Sequence, residues 1–112
     1  MKKIEIIVRP GMLERVRDEL TGLGIHGMNY SDIHGFGRQN GHTEVYRGSM
    51  VQVDFLPKVK IELVVADDKV EKIIDTVVAT ARTGKVGDGK IFVSDVLDAV
   101  RIRTGERGAD AV

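Results

Sequence analysis

The residues most suited to chemistry lie in one stretch, Thr83-Gly84-Lys85-Val86-Gly87-Asp88-Gly89-Lys90, which packs three glycines and two lysines into eight residues. Glycine lets the backbone bend tightly and brings amide N–H groups close to a ligand. Successive amides in such a turn form an anion-binding concavity, and a lysine at its edge adds a point charge. The chemistry indicated is phosphate binding. The string also reads Gly84-x-x-x-x-Gly89-Lys90, most of the phosphate loop of nucleotide hydrolases. Two features break that match. Ile91 stands where a magnesium-holding hydroxyl is required, and the loop follows a helical pattern and precedes a strand pattern, the reverse of that motif. The plainer alternative is a glycine-rich connection with Gly84 as a helix C-cap.

A second constellation is Val100-Arg101-Ile102-Arg103. Read as extended chain, its period of two puts Arg101 and Arg103 on one face, suited to gripping a polyphosphate; a solvated strand face is the alternative. His26, His34 and His42 recur every eight residues, but eight extended residues span roughly 26 Å, so no two of them meet on one strand and surface histidines are the expectation. Glu5 and Glu62 are expected as solvated strand positions. No nucleophile elbow, paired catalytic carboxylates or HExxH pattern occurs, so the residues give no positive case for an enzyme.

The elements that must hold these residues form an internal repeat. Lys3-Ile4-Glu5-Ile6-Ile7-Val8 recurs as Lys60-Ile61-Glu62-Leu63-Val64-Val65, and both copies are strand-like in β-branched content. After the first, Leu13, Val16, Leu20 and Leu23 fall on one helical face; after the second, Val70, Ile73, Ile74, Val77, Val78 and Ala81 do the same, following Asp67-Asp68, which suit a helix N-terminus. Each helix is expected to end in a glycine turn, at Gly24 and at Gly84. Further strands are expected at about 28–36 and 91–96. Two βαβ units in one small domain give the ferredoxin-like α+β pattern, a four-stranded antiparallel sheet with both helices on one face. The other sheet face must be solvated or covered by a second subunit, so oligomerisation is expected.

At 112 residues the chain makes one domain, 1–112. Lys plus Arg is 17 and Asp plus Glu is 17, so no global field favours nucleic acid. With no cysteine, disulfides and thiolate metal sites are excluded, which fits a reducing cytoplasm. The start, with Glu5 inside a short apolar run, is not a signal peptide, and no stretch approaches a transmembrane helix, so a membrane role must come through a partner. Between the halves, the polar segment from Gly35 to Ser49 holds four glycines and shows neither period. A connection this long in a compact domain is usually functional or disordered; Arg38, Gln39, Tyr46 and Arg47, residue types that recognise partners and ligands, favour the functional reading for the stretch at about 37–54. The tail 104–112, with two glycines and mixed charge, is expected to be mobile beyond about Glu106.

Five stretches in the same order resemble the PII nitrogen-regulatory signalling proteins: Gly35-Phe36-Gly37-Arg38-Gln39, Thr43-Glu44-Val45-Tyr46-Arg47-Gly48, Phe55 to Glu62, Thr83 to Val93 and Arg101 to Glu106. The resemblance runs over essentially the whole chain. It implies a homotrimer of ferredoxin-like subunits with nucleotide sites at the clefts between neighbours, where ATP and ADP compete and 2-oxoglutarate binds beside Mg-ATP. It places the phosphates at Arg38, the amides of Gly87, Asp88 and Gly89, and the side chains of Lys90, Arg101 and Arg103. Adenine and ribose fall near Ile7, Asn29, Gly35, Gly37, Glu62 and Val64. Gln39 is implied as the protein's ligand to Mg2+ and, with Asn40, Gly41 and Gly87, as a 2-oxoglutarate contact, while Lys58 pairs with a carboxylate of that ligand. The stretch at about 37–54 is implied as an effector loop with Tyr46 and Arg47 as partner contacts, Arg47 entering the cytoplasmic mouth of an ammonium transporter, and Ser49 as a modification position.

Two positions depart from the family pattern. Val51 stands where many relatives carry a nucleotidylated tyrosine, so no such modification is expected there. Asn29 replaces a common threonine beside the adenine. The resulting expectation is a non-catalytic sensor of ATP/ADP and 2-oxoglutarate that controls a nitrogen-metabolism target. Its rivals are a small phosphate-handling enzyme on the same fold and a purely protein-binding module.

Overall fold

The computed structural model describes residues 1–37, 43–46, 49–52 and 55–112, the two short middle segments by their backbone alone. In chain order the elements are strand β1 (Lys2–Val8), helix α1 (Leu13–Gly22), strands β2 (Asn29–Gly35), β3 (Thr43–Tyr46), β4 (Ser49–Gln52) and β5 (Leu56–Val65), helix α2 (Val70–Ala81) and strand β6 (Gly89–Asp95). Short 3-10 turns precede both helices and close the chain at Gly108–Ala111. The main sheet is antiparallel in the order β2-β5-β1-β6, the ferredoxin-like arrangement expected from the repeat.

The two copies of the repeat are neighbours. β1 and β5 pair with Lys3 opposite Val64, Ile4 opposite Leu63 and Glu5 opposite Glu62. Alternation sends Ile4, Ile6 and Val8 of β1, and Val59, Ile61, Leu63 and Val65 of β5, into one apolar layer, where they meet Val16 and Leu20 of α1 and Val70, Ile73, Val77 and Ala81 of α2. Fully burying each such branched side chain contributes about 1.5–3 kcal/mol. Among the described residues no polar or charged group is buried, so the ionisable chemistry lies on the sheet's open face and in its end loops.

α1 ends as expected: Gly24 has φ 87°, its N–H bonds Thr21 and the Ile25 N–H bonds Leu20, the paired bonds of a Schellman cap. α2 ends differently. Arg82 is already extended at φ −69° and ψ 126°, so the helix stops before Gly84, and that glycine (φ 86°) belongs to the glycine-rich loop rather than to a cap. The Asp67-Asp68 pair lies in a 3-10 turn and makes no side-chain cap bond; Asp67 instead meets the N-terminal ammonium at 2.8 Å. In the segment expected to show neither period, β3 and β4 form a two-stranded ladder with Tyr46 opposite Ser49. Four backbone pairs suffice for such a ribbon without an apolar face to announce it. Pro57 is compatible with the interior strand β5 because the ladder to β1 begins only at Val59.

One C-terminal expectation is corrected. Residues 101–104 form a turn, not a strand. The Arg101 N–H bonds the Glu106 carbonyl at 2.8 Å and the Gly105 N–H returns to the Arg101 carbonyl at 2.7 Å, closed by Gly105 at φ 75°. Ile102 is 99% exposed, so no apolar layer holds the alternating sequence straight. The tail beyond Glu106 is tied back: Arg107 pairs with Asp98, and the Gly108 N–H bonds the Ala99 carbonyl at 2.9 Å.

Candidate functional site

The register of the sheet sorts the site residues. Val8, at the end of β1, pairs with Val59 on one side and Gly89 on the other, and Ile7 pairs with Lys60 and Lys90. The glycine loop, the end of β2 and the start of β5 therefore meet at one end of the sheet. Gly35 pairs with Leu56, and a Cβ on Gly35 would lie 3.5 Å from Lys58 Cγ, so the lysine stem passes beside it. The Lys58 ammonium donates to the Gly87 carbonyl at 2.6 Å. Burial, and next the Arg9 charge, lower the Lys58 pKa, against Asp88, which raises it. Phe36 and Phe55 close the base of the effector segment with ring centroids 5.6 Å apart. Ile7, Gly35, Lys58 and Gly87–Lys90 are thus one cluster, and Gly37 follows two residues beyond Gly35.

Asp88 explains how the loop holds its shape. Its carboxylate accepts the Thr83 N–H at 2.8 Å, the Gly84 N–H at 2.9 Å and the Thr83 hydroxyl, and Arg9 Nη2 lies 3.5 Å away. The Thr83 hydroxyl and N–H bonds are the main reasons its pKa falls to about 2. A depressed carboxylate pKa adds stability above its ordinary value of 3.8, and that stability is lost as pH falls through about 2. The loop's first amides are thereby occupied from within, leaving those after Val86 for a ligand. Gly89 is a steric requirement: at φ 113° its Cβ would lie 1.7 Å from the Ile7 carbonyl oxygen.

The remaining nucleotide candidates lie elsewhere on the chain. Asn29, Glu62, Val64 and Arg101 line an open cleft of about 910 Å³ that also takes in Lys3 and the tail, and that shares no residue with the groove beside Gly89 and Lys90. The two regions lie toward opposite ends of β1, Lys3 and Ile7 being four residues or about 13 Å apart along the strand. Arg101 is engaged with Glu106 at 3.3 Å, and Arg103 is exposed in the turn. Glu62 is not a lone solvated carboxylate. It lies directly opposite Glu5, and Lys3 bridges the two at 3.4 Å and 3.2 Å while Lys60 holds Glu62 at 3.1 Å. The Lys60 hydrogen bond is the largest cause of the lowered Glu62 pKa.

Arg38, Gln39, Asn40, Gly41 and Arg47 lie outside the described residues, as do the side chains of Tyr46, Ser49 and Val51. Sequence reasoning missed the Asp88 side chain and Arg9. An arginine one residue past a strand carries no motif, and only the pairing of β1 with β6 brings it to the loop.

Known proteins are similar to the chain from end to end. The family model described as nitrogen regulatory protein P-II matches residues 1–106. The nitrogen regulatory protein P-II of Cereibacter sphaeroides is 56% identical over 112 residues, all of both chains. The protein of the same name from Klebsiella oxytoca is 57% identical over 112 residues, again all of both chains. Nitrogen regulatory protein P-II 1 of Escherichia coli (strain K12) is likewise 57% identical over 112 residues and fully covered.

Proposed function

The chain belongs to the nitrogen regulatory P-II family, signalling proteins rather than enzymes, and from that premise we propose that it is a homotrimeric sensor of ATP/ADP and 2-oxoglutarate acting on an ammonium transporter or another nitrogen-metabolism target. The observation that carries this reading is the division of the candidate residues into two separate half-sites. One holds the loop amides, Lys58 and Lys90; the other holds Asn29, Glu62, Val64 and Arg101. A nucleotide held by the first group of one copy and the second group of its neighbour would bridge the two copies. The sheet edges support assembly, since Leu97 is 98% and Ile102 99% exposed, with Phe92, Val93 and Val100 also open; apolar side chains in such numbers beside the open edge strand β6 call for a cover.

No helix among the described residues is long and apolar enough to cross a membrane, so in this reading the protein works in the cytoplasm and reaches the membrane through its partner, with Tyr46 and Arg47 as contacts. Magnesium would draw its oxygens from the triphosphate, the 2-oxoacid and Gln39. Mg2+ bound beside phosphates commonly takes most of its oxygens from ligand and water, so such a site would ask little of the protein beyond Gln39. Lys58 and the Gly87 backbone would take the distal carboxylate of 2-oxoglutarate, and the effector segment would change its populations with the ligand at its base.

Complementation tests the split site. Lys90→Ala and Arg101→Ala, each disabling a different half, are each expected to weaken ATP binding at least tenfold. Subunits of the two variants, unfolded together and refolded as mixtures, are expected to regain a fraction of full-affinity sites. Mixed assemblies that recover none would overturn the shared site.

A further inference from the structure

The loop's amides can hold an anion only if their N–H bonds point outward, and a glycine turn does little by itself to fix that direction. In a planar trans peptide the carbonyl of one residue and the N–H of the next point in opposite directions. Arg9 Nη2 donates to the Val86 carbonyl at 2.9 Å, so the Gly87 N–H in the same peptide faces away from the guanidinium. Lys58 Nζ donates to the Gly87 carbonyl at 2.6 Å, which turns the Asp88 N–H away in the same manner. The Arg9 nitrogen also lies 3.5 Å from the Asp88 carboxylate that organises Thr83 and Gly84. The Arg9 charge reaches Lys58 strongly enough to help lower its pKa, so both carbonyls turn toward one cationic corner. The Gly87 N–H meets no acceptor among the described residues.

We propose that Arg9 is a positioning residue of the phosphate loop: it grips the Val86 carbonyl and the Asp88 carboxylate, and so presents the Gly87 and Asp88 amides to a bound phosphate. The role rests on the nucleotide reading above. It suits arginine, whose Nη2 lies 2.9 Å from the Val86 carbonyl and 3.5 Å from the Asp88 carboxylate and whose guanidinium stays charged. β1 delivers the residue, because Val8 is paired to Gly89 and the next residue of the strand must emerge beside the loop.

The test uses the full chain with Arg9→Ala and Arg9→Lys. Without ligand, amide shifts of Gly87 and Asp88 are followed by NMR; ATP affinity is then measured by calorimetry at low and moderate salt. In Arg9→Ala the two amide signals are expected to shift before any nucleotide is added, because the peptide planes that Arg9 holds are released. ATP affinity should fall about tenfold, with its salt dependence unchanged because no phosphate contact is lost. Arg9→Lys should recover part of both. Unaltered Gly87 and Asp88 amides in Arg9→Ala would overturn the proposal. So would weaker binding with a flatter salt dependence, the mark of a direct phosphate contact. If the unsubstituted chain binds no ATP, the nucleotide reading fails, and the ligand-free amide signals still decide whether Arg9 orients the loop.

Discussion

Replacing Gly89 with alanine is expected to lower the melting temperature by about 10 °C or more and to abolish nucleotide binding. Two costs combine. A side chain at φ 113° is strained by about 1–3 kcal/mol, and the new methyl would lie 1.7 Å from the Ile7 carbonyl oxygen and 2.8 Å from its carbon. Those neighbours are backbone of an interior strand, so the contact is relieved only by prising β6 from β1 at Val8. A domain of this size loses about 4–8 °C per kcal/mol. The same movement displaces Lys90, paired with Ile7, and the amides before it. Gly22→Ala is the control: its Cβ meets nothing within 4 Å in the last turn of α1, so thermal denaturation should show no loss. A Gly89→Ala protein with unchanged melting and ATP affinity would contradict the close approach.

Lys58→Ala is expected to weaken 2-oxoglutarate binding about a hundredfold, measured by calorimetry in Mg-ATP, while ADP affinity falls by less than tenfold. A charge-assisted hydrogen bond is worth about 1.5–3 kcal/mol, and this ammonium is half-buried, which strengthens its pairing with a carboxylate. Its pKa is lowered by burial and by Arg9. Asp88 offsets that lowering in part, and an incoming carboxylate would favour the ionised form further. The smaller ADP effect reflects the Gly87 carbonyl that Lys58 also holds. Equal loss of both ligands would contradict the division of roles between Lys58 and the loop amides.

Much of the fold was legible because its signals are local. The repeated strand pattern, the two helical faces and the cap at Gly24 each declare themselves within a few residues, and the repeat led directly to the ferredoxin-like sheet. The adjacency of the repeats was not legible: Glu5 faces Glu62 because β1 and β5 are neighbours, a fact of topology that spacing does not carry. The turn at 101–104 escaped for the opposite reason. Alternating Val-Arg-Ile-Arg satisfies the strand pattern, and only the absence of a covering layer around Ile102 in this chain releases it into a turn. In the glycine loop, glycine and lysine content raised the expectation of an anion site, whereas the parts that shape the loop, the Asp88 carboxylate and Arg9, depend on contacts across 5 and 77 residues. The separation of the candidate residues into two groups is a property of the folded chain alone.

Calorimetric titration of 2-oxoglutarate into the unsubstituted protein, with and without Mg-ATP, tests the central claim most directly. A dianionic acid beside a triphosphate needs the metal to offset repulsion, so saturable heat is expected with Mg-ATP present and none in its absence. Binding of equal strength in both titrations, or none in either, would contradict a sensor in which one ligand requires the other.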